Sequence, residues 1–387
     1  MKFLNQKLVQ QCEDWASENL KPSLQQRDDE KSFNLDNWRA AQSLKLNEVL
    51  TCADSKKEIT DMASMFYGLA RGSMDLPFCS SLAAHSVIAM DLINIFTTTE
   101  QKNKYHSLMR RPDSIAAICN SESGAGTDLK KMSASAVVSE NGTALVNLTK
   151  PCATNASHAD LLLCSVWEKT ANKKDSLSII VLEKSEVHTT SLQHTLAGFK
   201  TGMTGSVKAQ NLSINYSERV LQTNVGQLNI FKRCFDMERL FLGVMVAGIL
   251  DGVENNMMEL IEKNESAGFT LQDKQYLQEK LLHVYTVKTN LSLLIETILN
   301  SDKFDLNEYS KELCLVKIAL NTQAVDAITS YYEFIGHQGF MAQHICQKLN
   351  RDFMGLKYFG GTTELQKNNL FAELVRPLKK RSLKIAV

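Results

Sequence analysis

Proline is scarce in this chain, with five in 387 residues. Little therefore interrupts helices, and long ones are expected. Charge of one sign is not in excess either: 43 basic and 43 acidic residues cancel. With that balance nothing points to nucleic acid or an anionic membrane as a partner. None of the nine cysteines sits in a CxxC pair, so neither a zinc site nor a disulfide framework is indicated. Cys119, Cys152, Cys164, Cys234 and Cys314 lie in apolar surroundings and read as free thiols in a reducing cytoplasm. No continuous apolar run approaches the ~18 residues that span a bilayer. The start, MKFLNQKLVQQCEDW, is mixed in charge and lacks the apolar stretch of a secretory signal. Internal repeats and low-complexity segments are missing too. What remains is 44% hydrophobic and 22% charged, the balance of a globular protein with length for two or three domains.

Apolar residues recur at helical spacing through the first third. Leu4, Leu8, Cys12 and Trp15 form one series; Met62, Met65, Phe66 and Leu69, then Leu82, Val87, Met90 and Ile93, form another, interrupted at Pro77. Thr98-Thr99 before Glu100 opens a charged helix to Arg110, and Pro112 ends the region. His85, on an apolar stripe, reads as a core histidine rather than a catalyst. From Ser114 to Tyr216 short segments alternate in the strand manner: 114–119, 134–138, 144–148, 161–166, 177–182 and 207–214. Turn residues such as Asn141-Gly142 separate them, which predicts a small antiparallel barrel or sandwich. Helices return at Gln227, over 235–253, 276–299 and 313–335, and a last one follows Gly361. The fold class is therefore mainly α with a central β-domain, divided as 1–113, 114–225 and 226–387.

Four segments carry candidate chemistry. In YFGGTTELQ (Tyr358 to Gln366) two adjacent glycines precede a helix. Such a turn presents free N–H groups and a positive dipole end to a phosphate, a carboxylate or the polar edge of a cofactor ring. The same pattern also suits an ordinary loop. NSESGAGTDL (Asn120 to Leu129) places hydroxyls at 121, 123 and 127 among glycines, without Walker or GxGxxG spacing. KPCATNASHADL (Lys150 to Leu161) sets Thr154 and Asn155 between two strands. FDMERLFLG (Phe235 to Gly243) opens the long helix, with Asp236 and Glu238 expected in its first turn, where the dipole favours carboxylates.

In combination these segments resemble the flavin-dependent acyl-CoA dehydrogenases. The helical, β, helical order is similar to that family's: an N-terminal helical domain, a middle antiparallel β-barrel or sandwich, and a C-terminal four-helix bundle. TTTEQKNKYHSLM resembles the segment before its β-domain, NSESGAGTDL its TEPGAGSD motif, and KPCATNASHADL its K-x-(W/F)-I-T-N segment. IGHQGF resembles GGNGF, and RDFMGLKYFGGTTELQ resembles RDAK…YEGTSEIQ. The likeness runs from about Ile59 to Val375.

The resemblance implies FAD between the β-domain and the C-terminal helices. Ser121, with Asn120 beside it, and Thr154 would hydrogen-bond the ring, and Cys152 would cover it. Thr362 and Glu364 would touch the phosphates and adenosine. Ser266 and Gln275 are assigned to the cofactor as well, and Gly336 and Gly339 to a loop reaching the FAD of a neighbouring subunit. Thr127 would lie near the pantetheine chain of the thioester, with Arg239 and Gly360 also on the substrate side. The chemistry needs a carboxylate to take the α-proton while the β-hydrogen leaves as hydride. Many members carry that acid at the position of Gly360. A subset carries it on the long helix before an arginine, and Glu238, followed by Arg239, matches this second place.

Departures mark a divergent member. Asn264 stands where the family has an FAD-binding arginine, Ser123 replaces a proline, Cys152 an aromatic, and His337 a glycine. The segment before residue 60 lacks the family's EEYGG stretch. Such divergence resembles biosynthetic members that oxidise groups on an acyl carrier protein. Three functions are therefore expected to compete: an acyl-thioester dehydrogenase on CoA or carrier protein; an oxidase of a carrier-bound hydroxy- or amino-acyl group; and an inactive member kept as a scaffold. The family further implies an electron-transferring flavoprotein or oxygen as acceptor, and a homodimer or homotetramer.

Overall fold

The computed structural model describes residues 1–51, 55–125, 131–171, 173–221, 228–266, 273–300 and 304–385. In chain order its main helices before the sheet are α1 (Gln6–Asn19), α2 (Lys56–Ser73), α3 (Leu76–Phe96) and α4 (Thr99–Met109). Asn5 caps α1 by accepting from Leu8 N, and Thr98 with Gln101 forms a capping box on α4. Seven strands follow: β1 (Ala116–Cys119), β2 (Ser135–Val138), β3 (Thr143–Ala153), β4 (Leu161–Thr170), β5 (Lys173–Glu183), β6 (His188–Ser191) and β7 (Gly205–Asn215). The remaining helices are α5 (Leu228–Ser266), α6 (Gln275–Leu299), α7 (Ser310–Asn321), α8 (Gln323–Ile335), α9 (Ile345–Gly355) and α10 (Thr363–Ile385). The architecture is the expected one: N-terminal helices, a central sheet and a C-terminal helical domain.

Compactness groups these elements into two units. One comprises Met1–Gln25, Ala63–Leu76 and Arg239–Val387. Its helices approach at backbone distance. A Cβ on Gly68 of α2 would stand 2.2 Å from Val9 O of α1, and one on Gly248 of α5 would stand 2.5 Å from Tyr67 O of α2. Phe66 and Phe241 meet edge-on in its core at 5.7 Å. The other unit comprises Gln26–Met62 and Pro77–Glu238. It holds the sheet and a cluster in which Trp38 packs edge-on to His85 at 5.4 Å.

The sheet is mixed, not wholly antiparallel. β1 and β2 lie end to end along one edge of β4, both parallel to it, with Cys119 opposite Cys164 and Ser135 opposite Trp167. β5 takes the other edge of β4, and β2, β3, β7 and β6 continue the sheet antiparallel. Alternation of side chains reports burial but not strand direction; only a tight hairpin, such as β2–β3 with Gly142 at φ 82°, forces antiparallel pairing. β6 was not expected, since its sequence HTTS has almost no buried face.

Three further expectations change. The long helix begins at Leu228, so Asp236 and Glu238 lie well inside it and not in its first turn. Asp236 is buried and paired with Lys232 one turn earlier. The stretch 313–335 is two helices, broken at Thr322 (φ −124°, ψ −78°), whose hydroxyl donates to Ile318 O. And α3 is long and apolar enough to cross a membrane, yet 94% of its most apolar window is buried within the protein, which makes it a core helix.

Candidate functional site

In the sheet-bearing unit the candidate residues sit where β1 and β3 end. Asn120 follows β1 and is half-buried; its Oδ1 is buried without a hydrogen bond, while its Nδ2 lies 3.7 Å from Cys234 Sγ. Ser121 is exposed, and neither its hydroxyl nor that of half-buried Thr154 is hydrogen-bonded among the described residues. Thr154 is presented by a turn in which Asn155 adopts a left-handed φ of 69°. Asn155 locks that turn by donating from Nδ2 to Ser81 O (2.8 Å) and Ala116 O (2.9 Å). Cys152 is half-buried, and burial pushes its thiol up, so it remains neutral. An orphaned amide oxygen, two open hydroxyls and a neutral thiol fit the polar edge and the face of a planar ring such as a flavin.

Behind this edge lies a buried cluster that the motifs did not reveal. Lys150, in β3, donates to Glu122 Oε1 (2.9 Å), Ser165 Oγ (2.9 Å) and Asn120 O (3.2 Å). Glu122 also accepts from Ser133 N (2.7 Å), Ser133 Oγ (2.8 Å) and Ala134 N (3.1 Å). Burial pushes the Glu122 carboxyl up, but Lys150 and the Ser133 donors outweigh it and hold it below its ordinary 4.5. Lys150 was detectable as a lysine at the buried phase of a strand, after Ala144, Val146 and Leu148.

In the other unit the double-glycine turn has positive φ at both positions, 64° at Gly360 and 100° at Gly361. Side chains from three helices hold it. Arg239 Nε (3.3 Å) and Gln366 Nε2 (3.4 Å) both donate to Gly360 O, and Asn321 Nδ2 donates to Gly361 O (3.4 Å). Lys317, fully buried, donates to Asn321 Oδ1 and to Leu356 O. Thr362 accepts from Leu365 N (3.3 Å) and so caps α10; Glu364, in the first turn of α10, is exposed. The turn is thus the open N-terminus of a long helix, a place suited to phosphate.

The remaining candidates are dispersed. Gly336 (φ 68°) is exposed at the end of α8, and Gly339 is buried, its carbonyl accepting from Gln347 Nε2 (2.8 Å). Gln275 opens α6, is exposed, and spends its amide on Glu279. Thr127 and the side chains of Ser266 and Asn264 lie outside the described residues. Glu238 is half-buried on α5, one residue before Arg239.

Two family profiles match the chain: Acyl-CoA dehydrogenase, N-terminal domain, over residues 5–111, and Acyl-CoA dehydrogenase, C-terminal domain, over residues 228–375. The mitochondrial isovaleryl-CoA dehydrogenase of Arabidopsis thaliana is 25% identical over 315 residues, 79% of this chain and 74% of that protein. Among solved structures, the prolyl acyl carrier protein oxidase AnaB superposes with a TM-score of 0.85 at 20% identity, covering 95% of this chain and 98% of that one. PigA with FAD and proline superposes at 0.81 with 18% identity, covering 95% and 97%.

Proposed function

The chain belongs to the acyl-CoA dehydrogenase family, and from that premise we propose that it dehydrogenates an acyl thioester at Cα–Cβ with Glu238 as the base. It is a flavin-dependent oxidoreductase acting on CH–CH donors, and its cofactor is FAD, as in the PigA complex. When bound, FAD supplies the acceptor for the β-hydrogen. Asn120, Ser121 and Thr154 would orient the ring edge, and Thr362 with the α10 N-terminus would take the phosphates. Glu238 takes the α-proton onto its carboxylate.

The observation that carries the base assignment is the helix start at Leu228. First-turn dipole stabilisation, the ordinary reason for an acid at 238, does not apply so far inside a helix. Glu238→Gln is expected to stay yellow while turnover falls about 100- to 10,000-fold, the usual weight of a general base. Flavin reduction at the parental rate by that variant would overturn the assignment.

A second reading, oxidation of a hydroxy- or amino-acyl group on a carrier protein, is favoured by Cys152. A thiol in place of an aromatic leaves room over the ring, and the superposed AnaB is named as a prolyl carrier-protein oxidase. Turnover of carrier-bound substrates but not CoA esters would select it. A colourless protein that takes up no FAD would instead leave a scaffold. An electron-transferring flavoprotein or oxygen would accept the electrons. Exposed Tyr276, Leu282, Tyr285 and Leu293 on α6 support a homodimer or homotetramer, and the cysteines among the described residues, all free, fit the reducing cytoplasm.

A further inference from the structure

We infer that Glu122 and Lys150 are positioning residues, a buried ion pair that closes the neck of the segment 123–132 and sets Asn120 and Ser121 for the flavin. The inference rests on the flavoprotein reading above. The proposed reaction does not use either charge, and both are out of solvent: the Lys150 side chain is 0% and that of Glu122 5% exposed. Two ions in such a place are retained at a desolvation cost that their attraction barely offsets, and an apolar pair of similar volume folds as well or better. Their value therefore lies in the geometry they impose.

That geometry is specific. Glu122 lies at one root of the segment and Ser133-Ala134 at the other, and one carboxylate receives both backbone N–H groups of the far root. Lys150 ties this neck to β3 through Glu122 and to the end of β1 through Asn120 O. Ser165 Oγ, on β4, completes the cluster by receiving a bond from Lys150 (2.9 Å) and lies 3.3 Å from Asn120 O. The backbone of Asn120 is thus held by a buried ammonium while its side-chain oxygen stays unpaired.

Replacing the pair with Glu122→Leu plus Lys150→Met removes the clamp without stranding a charge. This double variant should fold with a thermal midpoint near the parent's. Its FAD affinity, read by flavin absorbance and fluorescence without any substrate, should fall about tenfold, the worth of one lost hydrogen bond. Its flavin band should shift as the ring edge loses Asn120. kcat/KM for the thioester should fall on the order of 100-fold, the effect of misplacing the ring by about 1 Å. Glu122→Gln, which keeps the shape and part of the bonding, should recover part of the FAD affinity. A folded double variant with parental FAD affinity, spectrum and kcat/KM would overturn the positioning role and leave the flavoprotein reading intact. A variant pair that loses thermal stability alone would make the clamp merely structural and also overturn it. A parent that binds no FAD would instead overturn the reading on which the inference rests.

Discussion

Acidification tests the sheet-bearing unit through His85. The side chain is fully buried, its Nδ1 accepts from Ala116 N at the start of β1 (3.0 Å), and its ring meets Trp38. Burial pushes its pKa down from 6.5 to about 4. The unfolded chain thus takes a proton at this residue below pH 6.5 that the folded chain refuses until about 4. Stability is full above pH 6.5 and drains away as pH falls through that interval. The gap of roughly 2.5 pH units corresponds to about 3 kcal/mol at ~1.36 kcal/mol per unit. A loss of that size matters for a protein whose total stability is of order 10 kcal/mol. His85→Gln keeps an acceptor for Ala116 N and cannot titrate. Urea midpoints of parent and variant should be taken from pH 7 to 4.5. The parent should lose about 2–3 kcal/mol more than the variant over that range, and parallel profiles would refute the claim that His85 is neutral and buried. Because Ala116 leads into Asn120, the same acid range should release FAD from the parent earlier than from the variant.

Two further outcomes test the helical unit. Gly248→Ala puts a methyl 2.5 Å from Tyr67 O, so α5 and α2 must separate; a loss of about 1–3 kcal/mol is expected by calorimetry, against little change for Gly124→Ala, which meets nothing within 4 Å. Lys348→Met removes the ammonium that bridges Asp75 and Asp352, both fully buried beside it; about 3–5 kcal/mol should be lost, and a change under ~1 kcal/mol would mean that this bridge contributes little to the fold.

Helices were legible in the sequence because a 3.6-residue period survives any tertiary context, whereas their ends were legible only where a cap exists. Thr98 with Gln101 announces α4, but the sequence before Leu228 spells no capping box, so acids at 236 and 238 read as a first turn that lies earlier, at Leu228. Strand positions followed from alternation, but the parallel pairings of β1 and β2 with β4 did not, since alternation carries no direction. The double-glycine turn was visible; its support was not. Lys317 and Asn321 are polar residues one turn apart inside an apolar helix, a spacing that marks one buried face once the helix is known. Lys150 is hidden in the same way, marked only by its strand phase after Ala144, Val146 and Leu148.

The glycine at 360 is more than an absent acid. An L-residue held near φ 64° costs roughly 1–2 kcal/mol through the clash of Cβ with the following carbonyl. That φ also aims the Gly360 carbonyl at two donors, Arg239 Nε and Gln366 Nε2. A glutamate relaxing to negative φ would turn the carbonyl away from both. A carboxylate at 360 therefore costs either that strain or the clasp. Under the proposed mechanism, a base on a regular helix avoids both costs. On α5 the residue directly before Arg239 is Glu238, so the helix that supplies one arm of the clasp also supplies an acid at the adjacent position.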